Sequence, residues 1–277
     1  MTSIGVEPRA HPRASELSRP AHELVLGRPD VAVLAMAAHH GTDVRAEVAR
    51  RLALTPERRR HEEDPYTAAW CRIVPNRLIA HRSRFEVDLN RPPERAVYRS
   101  TEDAWGLSVW KGAPPEALVR RSLVEHARFY ATLRGAVERL LSRHAHVLVL
   151  DLHTYNHRRG GPGAPLDDPS RNPALNVGTG TMDRARWASV VDAFVRGARS
   201  AGRDGPLDVR ENVRFFGGHL PAWLHRTYPT RVCALALEVK KTFMDEWTGR
   251  VDVRRWVGAR EVLRAGTASA LAALEAG

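Results

Sequence analysis

A chain of 277 residues can bury a sizeable core without disulfides or a partner subunit. Its 43% hydrophobic and 27% charged content excludes fibrous and disordered classes, and no apolar run approaches the ~20 residues that cross a bilayer. The net charge of +11, from 43 basic against 32 acidic residues, is almost all arginine dispersed among acids. That is a pattern of solvated faces, and it argues against a nucleic-acid partner.

Residues 1–27 hold Pro, Arg and His but no apolar stretch of a secretory signal, and read as a loosely ordered start to a cytoplasmic protein. Residues 28–277 read as one α/β domain. The run 31–38 is nearly continuous in aliphatic residues, as in a strand buried on both faces. Cys71, like Cys233 later, sits in an apolar or mixed stretch without CxxC spacing and reads as a buried thiol. A shorter, mixed strand is expected over 84–89, followed by a long Gly/Pro-rich loop over 92–114. Helical spacing of Leu118, Leu123, Ala127, Tyr130, Leu133, Val137 and Leu140 predicts a helix over 115–143. A second buried strand follows at 146–152, then a second long loop over 156–181; loops of this length usually carry function. Helix is expected over 184–201, a third buried strand over 231–239, and a last helix over 253–276. Such alternation of short apolar and longer amphipathic runs is that of an α/β layered domain.

The chemistry collects where each buried strand ends. The run 31–38 leads into His39 and His40, the second strand into His153, and the third into Glu238. In open α/β sheets, ligands gather beyond the carboxyl ends of the strands, so these side chains converge there. Two histidines and a carboxylate with one open position are the donor set of a hydrolytic zinc site. Asp151, two residues before His153, points to the same side of its strand and can support that imidazole. For the ligand carboxylate, spacing leaves open Asp43 and the cluster Glu62, Glu63 and Asp64. The stretch RFEVDLNRPP places Arg84, Asp88, Asn90 and Arg91 together. A guanidinium fork beside an amide suits a substrate carboxylate, and a structural Arg–Asp pair is the alternative.

Six short motifs, AHHGTDV, VDLNRPP, DLHTY, NVGTG, RFFGG and ALEVKKTFMDE, resemble in this order the motif series of the N-formylglutamate amidohydrolase family, from about residue 31 to about residue 248. The resemblance implies a three-layer α/β/α domain with a mixed, largely parallel central sheet, similar to the zinc carboxypeptidases. It also implies a bound divalent metal, expected to be Zn2+, and hydrolysis of a small N-formyl- or N-acyl-amino acid. By the same resemblance, His39 and His153 are metal ligands, and the acid of DPYT makes Asp64 the third, with Asp43 in reserve. Glu238 falls at the general base, and Asn90 with Arg91 at the carboxylate-binding pair. Arg84 or Arg91 would help the metal stabilise the oxyanion. Ala236 and Phe216 depart from the family's usual glutamine and lysine, which moves the expected substrate toward a less acidic one. The alternatives are a carboxypeptidase-like or other amidase acting on a small carboxylate, and a binding protein without turnover.

Overall fold

The computed structural model describes residues 20–203 and 205–276. Seven strands form one sheet: β1 (His22–Leu26), β2 (Val33–Ala37), β3 (Asn76–Ala80), β4 (Val147–Tyr155), β5 (Leu175–Gly178), β6 (Val209–Glu211) and β7 (Val232–Lys240). Their order is β1-β3-β2-β4-β7-β5-β6. The four central strands run parallel, β1 pairs antiparallel with β3, and the β5–β6 pair runs antiparallel to β7. The sheet is therefore mixed and largely parallel. Its helices are α1 (Ala46–Ala49), α2 (Pro56–Glu62), α3 (Thr67–Trp70), α4 (Glu116–Leu141), α5 (Ala188–Ser200), α6 (His219–Thr227) and α7 (Val253–Ala276).

The central strands are apolar without alternation because both faces are covered. Leu148, Leu150 and Leu152 of β4, with Cys233, Leu235 and Leu237 of β7, pack against Phe194 of α5 and Leu263 of α7. The intervening Val147, Val149, Val232 and Ala234 pack against Phe129, Leu133 and Val137 of α4 and Leu220 of α6. The period of two then carries Asp151, His153 and Glu238 onto the α4–α6 face, just as those helices stop covering the sheet. Both cysteines are buried and free. No described helix is long and apolar enough to cross a membrane.

Several elements differ from expectation. Residues 1–19 of the segment expected to be loose lie outside the described residues, whereas His22–Leu26 within it is an edge strand in full register with β3. The stretch 84–89 is not a strand: Glu86 and Val87 N–H groups turn back to the Ser83 carbonyl. Phe85 meanwhile joins a separate cluster with Val48, Tyr98 and Leu118. The long loop 156–181 contains β5, and the helix expected from residue 184 begins at Ala188. β4 runs on to Tyr155, so His153 lies within the ladder rather than beyond it.

Candidate metal centre and active site

α2 begins at Thr55, whose side chain accepts the Arg58 N–H at 3.2 Å, with Pro56 at its first position. The helix stops after Glu62, and the chain turns so that the Asp64 N–H donates to the His39 carbonyl at 2.9 Å. This tie brings Asp64 between His39 and His153. Asp64 Oδ2 lies 2.9 Å from His153 Nδ1 and 3.4 Å from His39 Nδ1. All three residues are buried, and one donor atom from each falls within 4.8 Å of the others. Among the described residues this is the one such group of His, Cys, Asp and Glu.

The outer nitrogens of both rings face carboxylates. His39 Nε2 donates to Asp88 Oδ1 at 2.7 Å, and His153 Nε2 lies 3.0 Å from Asp151 Oδ1. A proton held on Nε2 leaves the Nδ1 lone pair pointing inward, as a metal-binding imidazole requires. His39 Nδ1 is buried with no hydrogen-bond partner. That orphaned acceptor, beside a second Nδ1 and a carboxylate, fits a divalent cation. Asp151 is buried on the same side of its strand as His153, as the period of two predicts. Asp88, which the sequence places beside Arg84, Asn90 and Arg91, supports His39 while accepting from Arg84 at 2.9 Å, from Tyr98 and from the Asn90 N–H, so the Arg–Asp pair named as the alternative is present.

The local electrostatics follow from burial and these contacts. Burial pushes Asp64 up, but the imidazoles of His153 and His39 beside it hold it well below the usual carboxylate range. Asp88 is likewise held low against its burial by His39, Arg84 and Tyr98. His153 would be made less basic by burial, but Asp151 and Asp64 raise it well above an ordinary histidine. Glu238 moves the other way. Burial, reinforced by Asp64 and Asp151 and only partly offset by His153, raises it to about 7. It sits directly across the ladder from His153, with Asn176 of β5 on its other side.

These residues open onto a cavity of about 390 Å³, a size suited to a small molecule. His39, Asp64, Arg84, Asn90, His153 and Glu238 line it, so six of the seven residues expected to hold the metal, move the proton or bind the substrate are brought together. Arg91 is not among the lining residues. Its guanidinium packs over Tyr98 at 4.7 Å and Trp105 at 5.7 Å, and Nε lies 3.6 Å from Asp88. His40 is outside the metal group, and Asp43 is held through its backbone to residues 81–83. Glu62 binds His61, and Glu63 pairs with Arg59 at 3.6 Å. Asn90 accepts the Leu220 N–H at 2.8 Å and so anchors the start of α6.

Sequence reasoning missed Lys241, Asn176 and Arg214. The buried Lys241 ammonium donates to the carbonyls of His61 at 2.8 Å and Glu63 at 2.9 Å, pinning the turn that carries Asp64. Asn176 Oδ1 accepts the N–H groups of Val213 at 3.1 Å and Arg214 at 2.9 Å, fixing the 213–218 loop over the sheet. The signals were the polar residues inside the NVGTG, RFFGG and EVKK motifs, none of which a solvated loop requires.

A mixed sheet between two helix layers, with a His–Asp–His group and a poised carboxylate at the carboxyl edge of its parallel strands, has the makings of a hydrolase. Residues 31–244 match the family model for N-formylglutamate amidohydrolase, and the chain belongs to that family of hydrolases acting on linear amides. Among solved structures it is similar to N-formylglutamate amidohydrolase from Ralstonia eutropha JMP134, with 20% identity and a TM-score of 0.74 over 93% of this chain and 99% of that one. It also resembles a gene product of Agrobacterium tumefaciens, with 15% identity and a TM-score of 0.60 over 92% of this chain and 96% of the other. A putative carboxypeptidase A from Shewanella denitrificans OS-217 follows, with 13% identity and a TM-score of 0.40, covering 88% of this chain and 58% of that one. At these identities the likeness is one of fold. No curated protein matches the chain.

Proposed function

We propose that the protein is a metal-dependent amidohydrolase that releases the acyl group, formyl in the simplest case, from an N-acyl amino acid. The observation that carries this reading is the pair of inward Nδ1 atoms, each backed by a buried carboxylate, set beside Asp64 and in register with Glu238. His39, Asp64 and His153 would hold the cation, and two imidazoles with one carboxylate suit Zn2+. When bound, the cation supplies Lewis-acid polarisation of the acyl carbonyl and acidifies water.

Glu238, raised to about 7, can accept the proton of the attacking water near neutral pH and return it to the leaving nitrogen. The water oxygen bonds to the acyl carbon, the C–N bond breaks, and the products are a carboxylic acid and a free amine. A base poised in this way is of no use to a pure binding protein. Arg84 and Asn90 line the same cavity, where their N–H groups can hold the acyl oxygen or the substrate's polar end. Arg91 has a supporting part in this reading, bracing Asp88 and the aromatic wall.

Metal analysis beside an assay of amine release from N-formyl amino acids tests the proposal. About one cation per chain is expected, with both cation and activity lost in His39→Ala and His153→Ala proteins. Unchanged metal content in those variants, while folded, would remove the basis of the assignment.

A further inference from the structure

Five basic residues stand in or beside the cavity, and they differ in which of their N–H groups are left to a ligand. Arg84 donates from all three of its nitrogens, to Tyr98 at 3.1 Å, the Glu62 carbonyl at 3.3 Å and Asp88 at 2.9 Å. Lys241 is held by two carbonyls, as above. Arg159 pairs with Glu62 through Nη2 at 3.4 Å, which takes the nitrogen shared by both edges of its fork, and Arg91 does not line the cavity. Arg214 differs. Its guanidinium packs over the rings of Tyr155 at 5.3 Å and Phe215 at 5.6 Å. Its Nη1 donates to Asn172 and pairs with Asp167 at 3.5 Å, while Nε and Nη2 have no acceptor among the described residues. Two parallel N–H groups of this kind are the fork that binds both oxygens of a carboxylate. The Asn176 side chain, beside Glu238 on the sheet, holds the Arg214 backbone and so sets this fork relative to the base.

Two aromatic side chains complete the wall. Trp105 and Phe216 line the cavity yet are 48% and 59% exposed, which places them at its rim. Trp105 sits in the left-handed region at φ 53°, uncommon for a residue with a side chain, and its ring lies 4.7 Å from the Arg84 guanidinium. Glu62 lines the same cavity and pairs with Arg159, and its carboxylate repels a second acidic group.

We propose that Arg214 binds the α-carboxylate of the substrate while Trp105 and Phe216 hold an apolar side chain, so that the enzyme prefers N-acylated apolar or aromatic amino acids to acidic ones. The proposal rests on the amidohydrolase reading above. Its test compares kcat/KM of the zinc-loaded protein for N-formyl-phenylalanine, N-formyl-leucine and N-formylglutamate, and for N-formyl-phenylalanine against its C-terminal amide. The apolar substrates should exceed the glutamate one by about tenfold or more. Arg214→Ala should raise KM for the acid by on the order of 10- to 100-fold, abolishing the preference of acid over amide, and Arg214→Lys should restore part of it. Phe216→Ala should narrow the phenylalanine-to-glutamate ratio by roughly threefold to tenfold. Each ratio is taken within one preparation, so a loss of folded protein cancels. An active enzyme that prefers N-formylglutamate, or an Arg214→Ala protein with its acid preference intact, overturns the proposal. A metal-loaded wild type that cleaves none of these amides instead overturns the amidohydrolase reading, and this one with it.

Discussion

Glu238 and Asp64 are both buried carboxylates within reach of His153, yet their neighbours drive them in opposite directions. Asp64 lies against two imidazoles, with His153 Nδ1 at 2.9 Å and His39 Nδ1 at 3.4 Å, whereas Glu238 feels the charge of two other acids. A group that transfers protons should leave a different mark from one that holds metal. Glu238→Gln is expected to keep the cation and bind substrate nearly as well while kcat falls by on the order of 10² or more; stopped-time assays with metal analysis check this, and a kcat within a fewfold of wild type would exclude it as the base. Asp64→Asn, by contrast, should weaken metal retention far more than Asp43→Asn, because only Asp64 reaches the two inward nitrogens. Dialysis against a chelator ranks the two variants, and the reverse ranking would move the ligand to Asp43.

At the scale of elements, α6 is the joint between site and scaffold. Gly218 precedes it because a Cβ there would lie 2.3 Å from the Asn90 side chain, which receives the helix's Leu220 N–H. Gly218→Ala should therefore push Asn90 out of the cavity wall, lowering both Tm and kcat/KM, and an unaltered kcat/KM would show that Asn90 is not needed there. At the other end of α6, buried His225 accepts the Ala234 N–H of β7 at 3.1 Å on Nε2 and meets Thr181 Oγ1 at 3.0 Å on Nδ1. Burial lowers its pKa from 6.5 to about 4. A folded-state pKa below the unfolded one means that the unfolded chain binds the extra proton between those values. Stability from this residue is thus complete above about pH 6.5 and is lost as pH falls toward 4. The drop should be roughly 3 kcal/mol at most, and urea midpoints should show a shallower slope over that window in His225→Gln than in wild type. Equal slopes would remove His225 as the cause.

For the whole molecule, the metal group ties together segments far apart in the chain: His39 after β2, Asp64 after α2 and His153 on β4. A ligand that binds only the folded chain stabilises it by mass action, about 2.7 kcal/mol at a hundred times its Kd. Zn2+ should accordingly raise Tm in wild type and have no effect in His39→Ala, with calorimetry in the presence and absence of chelator as the measure. A zinc-independent Tm in wild type would argue that the group is a hydrogen-bonded cluster only.

Local sequence was enough for whatever depends on neighbours along the chain. The three doubly covered strands were visible as unbroken aliphatic runs, α4 and α7 as helical spacing, and His39, His153 and Glu238 as polar residues interrupting strand ends. Asp151 was readable for the same reason, since a period of two binds it to His153. Strands β3, β5 and β6 were not, because five, four and three residues with Asn, Arg or Gly among them carry no periodic signal; their identity comes from the ladder partners beside them. Spacing left Asp64 open against Asp43, Glu62 and Glu63, and the DPYT resemblance pointed to Asp64; what brings it to the two imidazoles is the turn that Lys241 and the His39 carbonyl hold in place. The placing of two arginines also needed the tertiary structure. RFEVDLNRPP offered Arg91 as a carboxylate clamp, but Tyr98, Trp105 and Asp88 draw its guanidinium out of the cavity, while Arg214, 123 residues later in the chain, is set at the wall by Asn176. Side-chain direction depends on which distant surfaces pack together, and that is decided only when the sheet and its two helix layers close.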